Sequence, residues 1–492
     1  MNLREEPLLF ELSSPGRECA SLPACDLPAT PLPPELARGR IGLPEIDELG
    51  LVRHFTRLSQ KNYSIDTEFY PLGSCTMKYN PKVNEQAASL PGWRNAHPLS
   101  GDEFNQGALE LIHVLQEQLC AIGGFAAGSL QPAAGAHGEF AGVLMMRAYH
   151  LSRGDAGRSV VLVPDSAHGT NPASCTMAGL QSRTIPSDSE GGVDMAALRA
   201  ALAETAGELA GLMITNPNTL GLFDRNIAEI AALVHEAGGL VYGDGANMNA
   251  LVGVLRPADV GIDVMHYNLH KTFSTPHGGG GPGAGFVGVC SDLSPFLPGP
   301  IVVRAEGPGA ARGAAGGAET FRLSMPLSSI GRLKAFYGNF GILVRAYVYL
   351  RMLEGPGLRR LAETAVLNAN YLKALVEGEY EVKYPRRCMH EFVAQGNLAE
   401  GVHTLDVAKR LIDLGFHPPT IYFPLIVPEA LMIEPTESES KETLDEFAEA
   451  LLRIAREAKS EPEMLRAAPA TTPIGRLDEV AAARNPLLCY KD

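Results

Sequence analysis

Between residues 105 and 290 the chain alternates two hydrophobic patterns. Short contiguous apolar runs occur at 159–163 (SVVLV), 212–215 (LMIT), 240–242 (LVY), 264–267 (VMHY) and 285–289 (GFVGV). Among them lie stretches whose apolar positions recur three and four apart, at 105–122, 194–204 and 227–236. Runs this short and continuous predict strands buried on both faces, and the three-four spacing predicts helices. Strands alternating with helices predict a mostly parallel sheet covered on both sides. In such sheets ligands sit beyond the carboxyl ends of the strands. The residues that close each strand are therefore where chemistry is to be sought.

The flanks read differently. Prolines at 7, 15, 23, 28, 31, 33, 34 and 44 exclude long helices and central strands. They predict an extended arm over 1–60, laid across another subunit or left as a loose tail. Residues 61–330 are expected to form the large domain. Within it the tract 305–319 (AEGPGAARGAAGGAE) has no periodicity and predicts a surface loop. A proline-free, apolar-rich signal over 328–353 predicts a long helix, so 331–357 is expected to link the large domain to a smaller α/β domain over 358–492. That smaller unit should close on a helix at 441–459, followed by an irregular tail from 467.

With 45% apolar and 20% charged residues, the chain has globular composition and is not disordered throughout. A formal net charge of −15 opposes the basic surface that sequence-independent nucleic-acid binding needs. Eight scattered cysteines without a CxxC pair indicate neither a disulfide framework nor a zinc site. The opening MNLREEPLLFELSS lacks the apolar segment of a signal peptide. No run of ~18 uncharged apolar residues would span a membrane. A soluble, cytoplasmic enzyme with no nucleic-acid, membrane or metal partner is the expectation. The 52 glycines cluster partly at 135–138, at 278–283 and within 305–319.

The segment 266–285 (HYNLHKTFSTPHGGGGPGAG) places His270, Lys271 and Thr272 at a strand's carboxyl end, ahead of a glycine run. A desolvated lysine amine attacks carbonyl groups, which is the Schiff-base chemistry of pyridoxal phosphate. Other origins for this pattern fit less well. Gly278, Gly280 and Gly283 match a GxGxxG spacing, but Pro282 lies inside it and no helix follows. A P-loop needs its glycines before the lysine, whereas here they follow it. His266 and His270 lie on a strand-to-loop segment and cannot share a helix face as a metal pair. A lysine held only for structure is the remaining alternative.

Other strand ends supply further parts. In YGDGAN (242–247), Asp244 would hold a pyridinium nitrogen protonated, making the ring an electron sink; otherwise it is a helix cap. In ITNPNTLG (214–221), Asn216 would donate to the cofactor's phenolic oxygen, or else form an ordinary Asn-Pro turn. His168 in PDSAHGTNPAS (164–174) would stack on the ring, or simply pack. Small residues open a helix over 133–150, where the N–H groups of Gly135, Ala136 and His137 would cradle a phosphate. Together these are the parts of a pyridoxal phosphate enzyme of the aminotransferase-like fold.

Six segments carry a closer likeness: 67–82 (TEFYPLGSCTMKYNPK), 164–174, 242–247, 268–285, 384–392 (YPRRCMHEF) and 423–437 (FPLIVPEALMIEPTE). They resemble the glycine cleavage system P-protein family from about residue 45 to the C-terminus, whereas the first 40 residues find no counterpart and 305–319 looks longer than the family pattern. The resemblance implies fold type I, with a large mostly parallel-sheet domain and a smaller C-terminal α/β domain. It implies pyridoxal 5'-phosphate held covalently on Lys271, Asp244 on the ring nitrogen and His168 on the ring face. Gly135, Ala136, His137, Asn216, Ala246, His270 and Thr272 complete the implied cofactor site. The implied reaction is glycine decarboxylation, releasing CO2, with transfer of the aminomethyl group to the lipoyl arm of the H-protein. Arg322 or Arg387 would meet the substrate carboxylate, and loop 67–82 would border the cleft, across a subunit boundary. The length matches the lysine-bearing half of the family's two-subunit form, which implies subunit 1 as partner in a heterotetramer of two of each. Another fold type I amino-acid decarboxylase, or a scaffold subunit without chemistry, are the alternatives.

Overall fold

The computed structural model describes residues 5–28, 30–37, 39, 41–276, 283–305 and 319–490. Its centre is a seven-stranded sheet of β1 (Ala127–Ser129), β2 (Val160–Pro164), β3 (Gln181–Ile185), β4 (Leu209–Thr215), β5 (Leu240–Gly245), β6 (Val264–Asn268) and β7 (Gly285–Val289). The spatial order is β1-β7-β6-β5-β4-β2-β3. Neighbours from β6 across to β3 run parallel, and β7 is antiparallel to both β6 and β1. The expected mostly parallel α/β fold is therefore what forms.

Helices cover the sheet: α1 (Glu48–Ser59) lies outside it, then come α2 (Gln106–Gly123), α3 (Gly135–Ser152), α4 (Thr170–Met177), α5 (Met195–Glu204) and α6 (Ile227–Glu236). The apolar runs are buried on both faces because each face has its own helical layer. One core gathers Leu109, Ile112 and Leu115 of α2 with Leu212, Val241 and Met265 of the sheet. The other gathers Val143, Met145 and Met146 of α3 with Val161, Met213, Tyr242 and Val264. The helix α3 lies very close to the sheet. A Cβ built on Gly138 would come within 2.8 Å of His266 Cβ, and one on Gly142 within 2.2 Å of Tyr242 Cε2. Only small side chains on that face allow the approach.

A hairpin of β8 (Ile301–Arg304) and β9 (Phe321–Ser324) precedes the long helix α7 (Phe340–Val376). A second, smaller sheet follows, made of β10 (Phe392–Gln395), β11 (Thr420–Ile421) and β12 (Ala430–Ile433), packed with α8 (Thr404–Asp413) and α9 (Lys441–Ser460). Helix α7 joins the two parts physically. Leu343, Ala346 and Leu350 enter the core of the main sheet, whereas Ala369, Leu372 and Val376 enter the core of the smaller unit.

Three expectations are corrected. The linking helix does not occupy 331–357: residues 328–339 are irregular, and α7 starts at Phe340 and passes Pro356 by breaking at Glu354 (φ 53°, ψ −171°). The N-terminal segment is not extended throughout, because α1 begins after the last proline, Pro44, on an Asp47 cap that accepts from Gly50 N–H. The tail after 467 carries a short helix at Glu479–Arg484. Most of the 305–319 tract, and Gly278 and Gly280, lie outside the described residues. Among the described residues no helix is long and apolar enough to cross a membrane.

Candidate active site

The strands' carboxyl ends and the smaller unit enclose a cavity of 240 Å³. Its lining includes Gly135, Ala136, His168, Asp244, Ala246 and Lys271, brought together from four segments. The register explains part of this. Thr215, Asp244 and His266 pair across β4, β5 and β6 in one row, so their side chains emerge at the same level of the sheet.

Asp244 is 5% exposed and held from three sides. Asn171 Nδ2 donates to its Oδ2 at 3.0 Å and Ala246 N–H to its Oδ1 at 3.0 Å. His266 Nε2 lies 3.5 Å from Oδ1, and the far nitrogen of that ring lies 2.5 Å from Tyr242 Oη. Burial opposes the charge of Asp244, yet His266, the Asn171 and Ala246 donors and Lys271 outweigh it and hold the carboxyl below its ordinary range. Asp244 is thus an anion near neutral pH.

Lys271 follows β6, and its Nζ donates to Ser74 O at 2.6 Å, an acceptor 197 residues away in sequence. At the opposite wall α3 begins. The first bond of its ladder is Gly138 N–H to Ala134 O, 3.0 Å, so the N–H groups of Gly135, Ala136 and His137 precede the ladder and face outward at the positive end of the helix. Gly135 sits against the Asn268 amide, where a Cβ would be 2.8 Å from Nδ2. Asn268 is buried, lines the cavity, and its Oδ1 has no hydrogen-bond partner.

The other sequence candidates turn elsewhere. Asn216 is not among the lining residues: its amide donates to Asp224 O at 3.3 Å and accepts from Asp224 N–H at 2.9 Å, so the expected bond to a phenolic oxygen is not set up. Thr215 and Pro217 line the cavity in its place. Thr272 is buried and accepts from Met248 N–H at 2.8 Å. His270 turns to Ala284 O at 3.1 Å, with burial and Lys271 pushing its imidazole down to about 4. His137 accepts from Ala133 N–H at 3.1 Å, below its usual pKa through burial and Lys334; its backbone rather than its ring faces the helix end. His168 lines the cavity, its Nδ1 2.7 Å from Thr170 Oγ1 and its ring 5.4 Å from that of Phe423.

Several residues at the site carry no local signal in the sequence. Glu139 accepts from Thr170 Oγ1 (2.8 Å), Asn171 Nδ2 (3.0 Å) and Ser174 Oγ (3.2 Å), fixing α4 to α3 beside Asp244. Ser74, His390 and Glu391 also line the cavity. Only their presence within the family-like segments 67–82 and 384–392 could have drawn attention to them. The group implied by the lysine, a pyridoxal phosphate, fits these residues. A carboxylate lies deep in the cavity, an amine stands beside it, and a glycine-lined helix start faces the buried Asn268 amide, whose Nδ2 lies where a Cβ on Gly135 would be 2.8 Å away.

A family model described as "Glycine cleavage system P-protein" matches residues 33–394, and one described as "Glycine dehydrogenase, C-terminal domain" matches 361–469. A "Probable glycine dehydrogenase (decarboxylating) subunit 2" of Caldanaerobacter subterraneus is 56% identical over 489 residues, 98% of each chain. The protein of that name from Methylococcus capsulatus is also 56% identical, over 495 residues and 98% of each chain. These alignments extend through most of the N-terminal 40 residues, correcting the expectation that those residues have no counterpart. Among solved structures, a glycine decarboxylase (P-protein) of the glycine cleavage system in inhibitor-bound form superposes with TM-score 0.72 at 23% identity, covering 86% of this chain and 93% of that one. A glutamate decarboxylase from Lactobacillus brevis does so with TM-score 0.61 at 13% identity, covering 89% and 96%. At such identities the superpositions establish the fold, that of fold type I.

Proposed function

The chain belongs to the glycine cleavage system P-protein family, and on that premise we propose that its cavity decarboxylates glycine with pyridoxal 5'-phosphate, releasing CO2 and passing the aminomethyl group to the lipoyl arm of the H-protein. The observation that carries this is the meeting of Lys271, anionic Asp244 and the start of α3 in one cavity. Bound there, the cofactor supplies an electron sink into which the bond to a departing carboxylate can release its pair.

Each residue then has a task. Lys271 is the covalent anchor, and Ser74 O accepts from its amine when it is free. Asp244 holds a proton on the ring nitrogen, and the Asn171, Ala246 and His266 contacts keep it charged for that purpose. His168 covers one ring face. The N–H groups of Gly135, Ala136 and His137, with the Asn268 amide, bind the phosphate, as helix N-termini do. The side chains of Asn216, His270 and Thr272 support the surrounding loops rather than the cofactor. Residues 61–330 serve as the cofactor-binding unit and 358–492 as the unit that closes the cavity. Subunit 1 is the partner chain, in a heterotetramer of two of each, with the lipoylated H-protein as the mobile carrier.

The test is glycine-dependent exchange of labelled bicarbonate in the complex with subunit 1 and H-protein. Exchange is expected with the wild-type chain. Lys271→Ala should lose both exchange and the visible absorbance of bound cofactor. A folded complex without exchange, or turnover of another amino acid independent of the lipoyl carrier, would overturn the assignment.

A further inference from the structure

The two arginines that the resemblance offers for the substrate carboxylate, Arg322 and Arg387, are both exposed and absent from the cavity wall. Among the described residues lining the cavity there is no arginine, and Lys271 is the one lysine. What stands beside the Lys271 amine is a buried imidazole with two buried carboxyl groups. The contacts run outward from the amine. Lys271 Nζ donates to Ser74 O at 2.6 Å, Ser74 N–H donates to Glu391 Oε2 at 3.0 Å, and Glu391 Oε1 lies 3.6 Å from His390 Nε2.

His390 is 2% exposed, lines the cavity, and neither ring nitrogen has a hydrogen-bond partner. Buried polar atoms are nearly always paired, so two orphaned nitrogens on one cavity-lining ring mark a group that arrives from outside. Glu434 stands behind them, its Oε1 taken by Thr76, Asn247 and Asn249. One donor atom from each of His390, Glu391 and Glu434 lies within 4.8 Å of the others. The pair is rigidly seated: Met389 N–H donates to Gly221 O at 2.7 Å, and a Cβ on Gly221 would be 1.8 Å from Glu391 O.

Burial, joined by the charge of Glu434, pushes the Glu391 carboxyl well above its ordinary range, against the pull of Ser74 N–H and Lys271. Burial and Lys271 push the His390 imidazole down to about 3. Near neutral pH the imidazole is therefore uncharged, and the Glu391 carboxyl is shifted toward its protonated, donating form.

We propose that His390 and Glu391 form the subsite for the carboxylate of the amino-acid substrate, holding it through hydrogen bonds where an arginine would be expected. The proposal rests on the glycine-decarboxylating assignment and adds the residues that recognise the leaving group. The chemistry favours such a wall. An arginine grips a carboxylate through two charge-assisted bonds, stabilising a charge that must vanish as the bond to carbon breaks. Only interactions that strengthen toward the transition state accelerate a reaction. Neutral donors orient the carboxylate while stabilising its ground state less. The C–C bond breaks, its electron pair remains with the substrate carbon, and the carboxylate departs as CO2. No proton is exchanged with either residue.

The test compares equilibrium binding of glycine and of methylamine, which lacks the carboxylate, read from the visible spectrum of the cofactor-loaded complex. In His390→Phe and Glu391→Met the dissociation constant for glycine should rise at least about 10-fold, the worth of one hydrogen bond to a charged group. Methylamine binding should stay within about threefold of wild type in both. Glu391→Gln keeps a neutral donor and should retain most of the glycine affinity, and Arg322→Ala and Arg387→Ala should bind glycine as wild type does. If Glu391→Met does not fold, His390→Phe and Glu391→Gln carry the comparison. Equal weakening of glycine and methylamine, or unchanged glycine binding in His390→Phe, would overturn the subsite. A wild-type complex that responds to methylamine but not to glycine would instead overturn the glycine assignment, and the subsite with it.

Discussion

Asp244 was legible as a strand-end carboxylate, but its charge is not a property of YGDGAN alone. Asn171, 73 residues away, and His266 on the next strand supply what burial takes away. Glu434 shows the converse. It is fully buried, and desolvation raises its carboxyl to about 7 against the donors Thr76 and Asn247 and the charge of Lys271. The folded protein thus keeps a proton there that the unfolded chain loses above its ordinary value of 4.5. Protons bound in excess by the native state make stability fall as pH rises. Its contribution is greatest below about 4.5 and is lost by about 7, on the order of 3 kcal/mol at ~1.4 kcal/mol per unit. Glu434→Gln retains the acceptor that Thr76, Asn247 and Asn249 use, and removes the titration. Denaturant unfolding at about pH 5 and about pH 7.5 should show the variant gaining on wild type at the higher pH. An identical difference at both pH values would contradict this.

At the scale of elements, hydrophobic period predicted β2, β4, β5, β6 and β7 well, because each is buried on both faces. It missed β3, whose first four residues are exposed, and β1, only three residues long. It misplaced α7, since the apolar residues over 328–339 lie in an irregular segment, and a break at Glu354 lets the helix continue past a proline. The small residues that open α3 were visible, but their reason was not. Gly138 is there to let the helix approach His266, the partner of Asp244. Gly138→Ala would force helix and strand apart. We expect a loss of about 1–3 kcal/mol, typical of overpacking, read from the unfolding midpoint, together with weaker retention of the cofactor. A variant of wild-type stability would show that α3 adjusts freely.

At the scale of the whole molecule, loop 67–82 stitches the smaller unit to the amine of Lys271. Leu72 bridges to Ile433, Thr420 Oγ1 donates to Gly73 O at 2.6 Å, and Thr76 Oγ1 donates to Glu434 at 2.7 Å. Lys78, 1% exposed at its side chain, donates to Glu437 at 2.7 Å and to Tyr349 of α7 at 3.2 Å. Removing one partner of such a buried pair strands the other charge, so Lys78→Met should lower stability by about 3–5 kcal/mol. Adding Glu437→Leu should recover most of that loss, as measured by denaturant unfolding. Failure to recover would assign the cost to packing of the lysine stem. The sequence by itself determined the alternation of strands and helices, the strand-end lysine and aspartate, and the family they resemble. These depend on local period and on residue types at fixed offsets. Tertiary structure alone decided that Asn216, His270 and Thr272 turn away from the cavity while Ser74, Glu139, Asn171, His390 and Glu391 reach it or its supports. Whether a side chain meets a cavity or a backbone group depends on segments hundreds of residues apart, and burial and pairing exist only once those segments have packed.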